Sequence, residues 1–410
     1  MATYPAKGAS YWTETAPKTD YQPLISGLDI DVAIVGGGIA GLTTAYLLKK
    51  TGKKVAVIEK EMIGDSVSGY TTGKITSQHS ITYTTLLKNF GEENARLYGE
   101  ANEAAISQIE NIIKAEGIDC DWRREDNYVY TEKPQEVQKL KKETDDAARL
   151  GLPATFEVTT PLPFEIQAAV KFANQATFHI GKYLQGLAKA VHGNGSFVFE
   201  HTKASFFSGG EHPSLITPGG KVMAKDIIIA TNVPTPIIMH TYYGLMEYPS
   251  RSYIVAGKTD TALPGMYINT GGPGRSILPV NVKGQNYILI GGEGHIAGLS
   301  GPSAGHYKNL STYAKDKFEV DTDYEWTAWD YIAYDSLPLI GKAYPLSKHM
   351  YVATGFRKWG LSNATVAAMI LSDELSGTHN PWAKTFRSNR ISAVTSLPKG
   401  ILKGILTSFS

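Results

Sequence analysis

Unbroken apolar runs along this chain are short. Asp31-Val-Ala-Ile-Val35 and Lys54-Val-Ala-Val-Ile58 are apolar on both faces, as strands buried in a parallel sheet must be, and Ile39 to Leu48 between them has no proline and predicts a helix. Asp226-Ile-Ile-Ile-Ala230-Thr231-Asn232 is a third buried strand that runs into a small-residue turn, and Met350-Tyr-Val-Ala-Thr-Gly355 is a fourth. An apolar helix to Leu375 follows the fourth after a glycine turn. Elsewhere the pattern is mixed. Apolar residues recur at helical spacing from about Glu92 to Glu116, a short strand falls near Tyr128 to Tyr130, and a charged helix from about Gln135 to Leu150 stops at Gly151 and Pro153. Turns at Gly209-Gly210 and Gly219-Gly220 divide a sheet-like stretch from Phe197 to Asn232. Four runs, Tyr253 to Ala256, Met266 to Asn269, Ser276 to Val280 and Tyr287 to Ile290, alternate well enough to predict one antiparallel sheet. The first 28 residues, polar and aromatic with several prolines, read as an arm over the body.

The first turn has the parts of a dinucleotide-binding βαβ unit. Gly36 allows the tight turn, Gly38 clears the approach of a pyrophosphate to the backbone, and Gly41 lets the helix pack on the strand. Ile39 and Ala40 open a helix whose unpaired N–H groups favour phosphate. Glu59, eighteen residues after Gly41, ends the second strand where an acid meets a ribose hydroxyl, with Lys60 next to it. The hydroxyl-rich loop from Gly64 to His79 can bring donors against phosphates and a ring. At the second turn, Phe356-Arg357-Lys358-Trp359-Gly360-Leu361, helix N–H groups and Lys358 can face an electron-rich group such as the pyrimidine edge of a flavin. Gly292-Glu-Gly294-His-Ile-Ala297 imitates another fingerprint, but Gly298, Gly301, Pro302 and Gly305 argue against a following helix.

Composition narrows the field. Forty Lys plus Arg against 39 Asp plus Glu in 410 residues give no field for nucleic acid, so the substrate is expected to be small. Cys120 is the only cysteine, which excludes an internal disulfide, a multi-thiolate iron-sulfur cluster and a multi-cysteine zinc site; no metal is expected. A cytoplasmic setting is the expectation, with no signal-peptide pattern at the N-terminus. Near the end, Ile401, Ile405 and Phe409 share one helical face opposite Lys399 and Lys403. That tail could touch a membrane surface weakly, a partner or the body itself.

Taken together, Gly36/Gly38/Gly41 with Glu59, the Ser68-Gly69 to Gly73 loop, the Ala230-Thr231 turn, and Asp335/Pro338/Gly341 with Gly355 and Gly360 resemble the D-amino-acid oxidase, glycine oxidase and sarcosine oxidase family of FAD-dependent oxidoreductases. A closer likeness is to a bacterial branch that carries a C-terminal Rieske domain, on Thr71-Thr-Gly-Lys-Ile-Thr-Ser-Gln-His79, Arg251-Ser-Tyr253, Gly291-Gly-Glu-Gly-His295 and Thr354-Gly-Phe-Arg-Lys-Trp-Gly360. The chain departs from that branch at its end. A Rieske centre needs two cysteines and two histidines, and neither residue type occurs after Trp382, so transfer to an internal cluster is not expected.

The resemblance implies an α/β architecture: a Rossmann-like FAD-binding domain from residues 28–85, 170–235 and 331–376, and a discontinuous α+β substrate domain on an antiparallel sheet from 86–169 and 236–330. An arm (1–27) and a tail (377–410) complete it. It implies oxidation of a C–N bond of a small amine or amino acid by hydride transfer to FAD. A second hypothesis is a flavin-binding electron-transfer subunit with a separate protein acceptor; a third, an NAD-dependent dehydrogenase using the first βαβ unit alone, leaves the Gly355 to Leu375 block unexplained. Gly69, Thr71, Thr72, Lys74, Ala204, Ala230, Thr231, Gly355, Lys358, Trp359, Gly360 and Leu361 join the first-turn residues as the implied cofactor contacts. Arg275, Arg251 and Arg357 are candidates to hold a substrate carboxylate, and Tyr253, His79 and His295 to orient or deprotonate an amine.

Overall fold

The computed structural model describes residues 8–396 other than 233, 234, 236, 283 and 298–302. The unbroken apolar runs form a first sheet ordered Leu339–Lys342, Met350–Thr354, Gly220–Ile229, Leu28–Val35, Val55–Ile58 and Phe197–Phe199. Every pairing from Met350–Thr354 to Phe197–Phe199 is parallel, and Leu339–Lys342 is antiparallel at the edge. Both faces are covered, which is why these strands are apolar throughout. Val32 and Ile34 face a core shared with the helices Ile39–Lys50, Ile180–Val191 and Gly360–Ser376, whereas Ala33 and Val35 face Leu215, Val222 and Tyr243.

A second sheet runs Tyr324–Ala333, Glu247–Thr259, Gln285–Ile296, Arg275–Val282, Met266–Asn269, Arg123–Thr131, Ala168–Thr177 and Lys74–Ile75. The four alternating runs fall in this one sheet, antiparallel to one another. Met266–Asn269 then pairs in parallel with Arg123–Thr131, so the sheet is largely rather than wholly antiparallel. Ala168–Thr177 crosses the boundary drawn at residue 170 and, like Lys74–Ile75 within 28–85, pairs with strands of this second sheet. The two sheets therefore interleave in sequence more finely than those segments imply.

The long helix begins at Tyr83 and ends at Glu116, with a break at Gly91, whose φ of 79° is left-handed. That break explains why helical periodicity becomes readable only near Glu92. A helix does run from Ser303 to Phe318 despite the glycines around it. Its preceding strand, Gln285–Ile296, is antiparallel to both neighbours, so Gly292 to Ala297 opens no parallel crossover. The arm carries a helix, Tyr11–Thr15, that Ser10 caps, and it is part of the core: Tyr11 and Trp12 are buried. Ser10 donates to the Gly69 carbonyl and Trp12 Nε1 to that of Thr71 at 2.8 Å, so the arm braces the hydroxyl-rich loop. No helix among the described residues is long and apolar enough to cross a membrane. The tail from 397 onward lies outside the described residues.

Candidate active site

The glycine turn is built by contacts that leave no room for side chains. Gly36 has φ +111°, and a Cβ there would stand 2.7 Å from the Ala230 carbonyl oxygen. This locks the first strand's exit against Ala230 and Thr231. A Cβ at Gly41 would come within 1.9 Å of the Gly36 carbonyl oxygen, which seats the helix on the turn. The N-cap Gly38 offers no side chain to its helix, and Ser68 Oγ accepts from Ile39 N–H at 3.1 Å instead. Glu59 is buried, with one carboxylate oxygen accepting from Gly37 N–H at 2.6 Å and the other from Glu61 N–H at 2.9 Å.

From this turn a single cavity of about 1780 Å³ extends to the turn at Phe356–Leu361. Ordinary small-molecule pockets enclose roughly 300–1,000 Å³, so there is space for a dinucleotide and a second small molecule. Gly36, Gly38, Ile39, Ala40, Glu59 and Lys60 line one end, with Ala204 beside them. Thr71, Thr72, Ala230 and Thr231 also line it, as do Lys358, Trp359, Gly360 and Leu361. Four of the expected cofactor contacts do not reach it. Gly41 and Gly69 pack behind it on the carbonyl oxygens of Gly36 and Gly64, and Gly355, at φ +73°, packs on Glu247 and Ala333. Lys74 is buried and donates to the Tyr267 carbonyl and to Ser276 Oγ; burial lowers its pKa well below the ordinary lysine value. Alternation along its short strand aims it into the second sheet.

At the far end, Arg357 and Lys358 are both left-handed, with φ of +56° and +67°. The Asp330 carboxylate accepts from Lys358 N–H and, at 2.8 Å, from Tyr331 N–H. Burial raises Asp330 to about 6, against those two hydrogen bonds. The Lys358 side chain is exposed to the cavity that the protein encloses, and desolvation lowers its pKa, opposed by Asp330. The helix Gly360–Ser376 has no side-chain cap, so its first N–H groups are open to a ligand.

Of the candidate catalytic residues, Arg275, Arg357, Tyr253 and His295 line the cavity, and Arg251 and His79 do not. Arg251 lies over the rings of Tyr253 and Trp329, at 5.2 and 5.1 Å. His79 is structural. Its Nδ1 meets Tyr98 OH at 2.5 Å and its Nε2 meets Ser362 Oγ at 3.0 Å, while its ring stacks on Trp359. Burial, with Arg357 nearby, lowers its pKa to about 3, so it stays neutral through the working pH range. Arg357 donates to the Ser336 carbonyl at 2.8 Å.

Tyr253 and His295 form a pair, OH to Nε2 at 3.2 Å, and His295 Nδ1 faces the Ile296 carbonyl at 2.8 Å. A carbonyl accepts, so Nδ1 carries the proton and Nε2 accepts from the tyrosine. Burial lowers the His295 pKa and keeps the ring neutral. Four further residues at the site, Asp330, Glu293, His306 and Asn309, carry no sequence motif that marks them as functional. Glu293 lies inside the imitation fingerprint, and His306 and Asn309 sit three apart on the unexpected helix, both bonded to Glu293.

A model of the FAD-dependent oxidoreductases of the DAO family matches residues 31–374. The chain is 32% identical over 394 residues to YhfW of Bacillus subtilis, described as a Rieske 2Fe-2S iron-sulfur protein, covering 96% of this chain and 77% of that one. It is 24% identical over 393 residues to the gamma-glutamylputrescine oxidoreductase of Escherichia coli, covering 90% and 89% of the two chains. Glycine oxidase from Geobacillus kaustophilus superposes with a TM-score of 0.76 at 20% identity over 88% of this chain and 99% of that one, so the fold is shared. The chain with this glycine-turned cavity belongs to the DAO family of FAD-dependent oxidoreductases.

Proposed function

We propose that the protein holds one FAD along this cavity and oxidises a C–N bond of a small amine or amino acid. The observation that carries the reading is continuity: one cavity joins the first glycine turn to the turn at Phe356–Leu361. The cradle fits the cofactor, since a Cβ at Gly38 would stand 2.9 Å from Ser68 Oγ and fill the approach to the helix N-terminus. Gly36, Gly38, Ile39 and Ala40 would hold the pyrophosphate, Glu59 the ribose, Ala204 the adenine side, and Lys358 to Leu361 the pyrimidine rim. Bound FAD supplies a two-electron acceptor for the hydrogen on the carbon attached to nitrogen. The relatives named for gamma-glutamylputrescine and glycine support the amine and amino-acid class.

The chain's own groups orient the substrate and balance charge. Because the Tyr253 hydroxyl donates to His295, its oxygen lone pairs are left to accept an N–H from the substrate amine. Neutral His295 can then take a proton through that hydroxyl. With FAD bound, Lys358 and the open N–H groups of the Gly360–Ser376 helix would stabilise negative charge at the pyrimidine rim. Lys358→Met should therefore keep its flavin but lose roughly 100-fold in the rate of anaerobic flavin reduction, measured by stopped flow.

Anaerobic mixing of the yellow holoprotein with D-amino acids, glycine and primary and N-methyl amines tests the reading. Bleaching by at least one compound is expected. A flavin that none of them bleaches, but that a protein partner reduces or oxidises, would replace it with the electron-transfer subunit.

A further inference from the structure

On the cavity wall made by Arg275–Val282 and Gln285–Ile296, the cation best suited to grip a carboxylate is already occupied. The buried Arg275 guanidinium is ion-paired with Glu293, Nη2 to Oε1 at 2.7 Å, and its Nη1 donates to the Gly274 carbonyl at 3.0 Å. The other Glu293 oxygen accepts from His306 Nδ1 and Asn309 Nδ2, each at 3.1 Å. Glu293 holds this position from a left-handed backbone, φ +55°, that a residue with a side chain adopts only at a cost. Its glycine neighbours make the space. A Cβ at Gly292 would meet Arg275 Nη1 at 2.9 Å, and one at Gly294 would meet Lys358 Nζ at 2.5 Å.

Such a pair presents almost no net charge to a ligand. A substrate carboxylate brought to Arg275 would stand beside a second anion in a desolvated wall, where like charges repel strongly. Burial raises the Glu293 pKa, but the bonds from His306 and Asn309 and the Arg275 charge outweigh it, so the carboxyl stays ionised. Two other cations that line the cavity have other tasks: Arg357 donates to the Ser336 carbonyl, and Lys358 is assigned above to the pyrimidine rim. Beside the pair, His306 stacks on Tyr253 at 4.5 Å and 17°, a flat shelf for an apolar substituent.

We propose that the Arg275–Glu293 pair selects amines with no carboxylate on the reacting carbon, primary or secondary alkyl- and arylalkylamines, and turns away the corresponding amino acids. This inference rests on the amine-oxidising reading above and narrows its substrate class.

Two readouts on the holoprotein test it. The first is calorimetric titration with benzoate, which needs no turnover. Glu293→Gln should bind benzoate at least roughly tenfold more tightly than the wild type, and adding Arg275→Met should remove the gain. The second is anaerobic bleaching by matched pairs: phenethylamine against phenylalanine, propylamine against 2-aminobutyrate. The wild type should be bleached at least roughly tenfold faster by the amine of a pair, and Glu293→Gln should narrow the difference. Equal benzoate affinity in wild type and Glu293→Gln overturns the inference, as does an amino acid that bleaches the wild type as fast as its amine. The wild-type comparison decides even if the variant does not fold. Failure of the underlying reading looks different, because then neither member of any pair bleaches the flavin.

Discussion

Gly38→Val is expected to fold and yet lose FAD affinity by at least about 100-fold, or about 2.7 kcal/mol. Gly38 has φ −81° and ψ −174°, a backbone that any residue adopts, so the substitution strains nothing locally. Its new side chain would push on Ser68 Oγ, 2.9 Å from the Cβ position, and Ser68 can rotate away. The valine methyls would then occupy the space in front of the helix N-terminus where the pyrophosphate must approach. Gly41 would be a poorer probe, because a Cβ there collides with the Gly36 backbone and would damage the fold itself. Extracted FAD per chain and the melting temperature of the flavin-free forms separate the effects: flavin is lost while the apo melting temperature holds. A variant that keeps its full complement of FAD would contradict this placing of the phosphates.

Arg390→Met should cost about 3–5 kcal/mol of stability, the largest expected effect of any single change outside the turns. Arg390 is buried and bidentate to Asp335, Nε to Oδ2 and Nη2 to Oδ1 at 2.6 Å each. It also donates to the carbonyls of Pro338, Leu337 and Arg387, which straps the segment after Phe386 to the approach of the strand Leu339–Lys342. Removing it leaves the buried Asp335 carboxylate, among the described residues, with Ser392 Oγ and Leu337 N–H. Asp335→Asn in the Arg390→Met background should recover part of the loss, since the cost is mainly that of an unpaired charge. Chemical denaturation measures both.

The same pair sets an acid dependence. Burial raises the Asp335 pKa, but Arg390 and Ser392 outweigh it and hold the carboxyl below its ordinary value. A depressed carboxyl stabilises the fold above its unfolded pKa of about 3.9 and loses that contribution as pH falls through the lower folded value. In Arg390→Met this acid-sensitive part of the stability curve should be missing.

The first turn was legible because its whole geometry is local. Three glycines, two flanking apolar strands and a terminal acid lie within some 30 residues, and each has a steric or electrostatic task that can be named without knowing the rest of the chain. The turn at Gly355–Leu361 was legible for the same reason. Side-chain direction was not. Lys74 sits in the right loop but points into the second sheet, and His79 is consumed by Tyr98, Ser362 and Trp359, partners 19 to 283 residues away. Glu293 was hidden between glycines that looked like a decoy turn. The helix carrying its partners His306 and Asn309 follows a cluster of glycines and a proline that local rules read as loop. Tertiary packing overrides that local preference, with Leu310 and Ala314 buried under the second sheet.

One cofactor must span both glycine-broken turns, and a crystal structure of the FAD-loaded protein tests this most directly. It should show a single FAD with its pyrophosphate against Gly36 to Ala40 and its pyrimidine rim beside Lys358 to Leu361. A nucleotide held at the first turn with no ring reaching the second would contradict it.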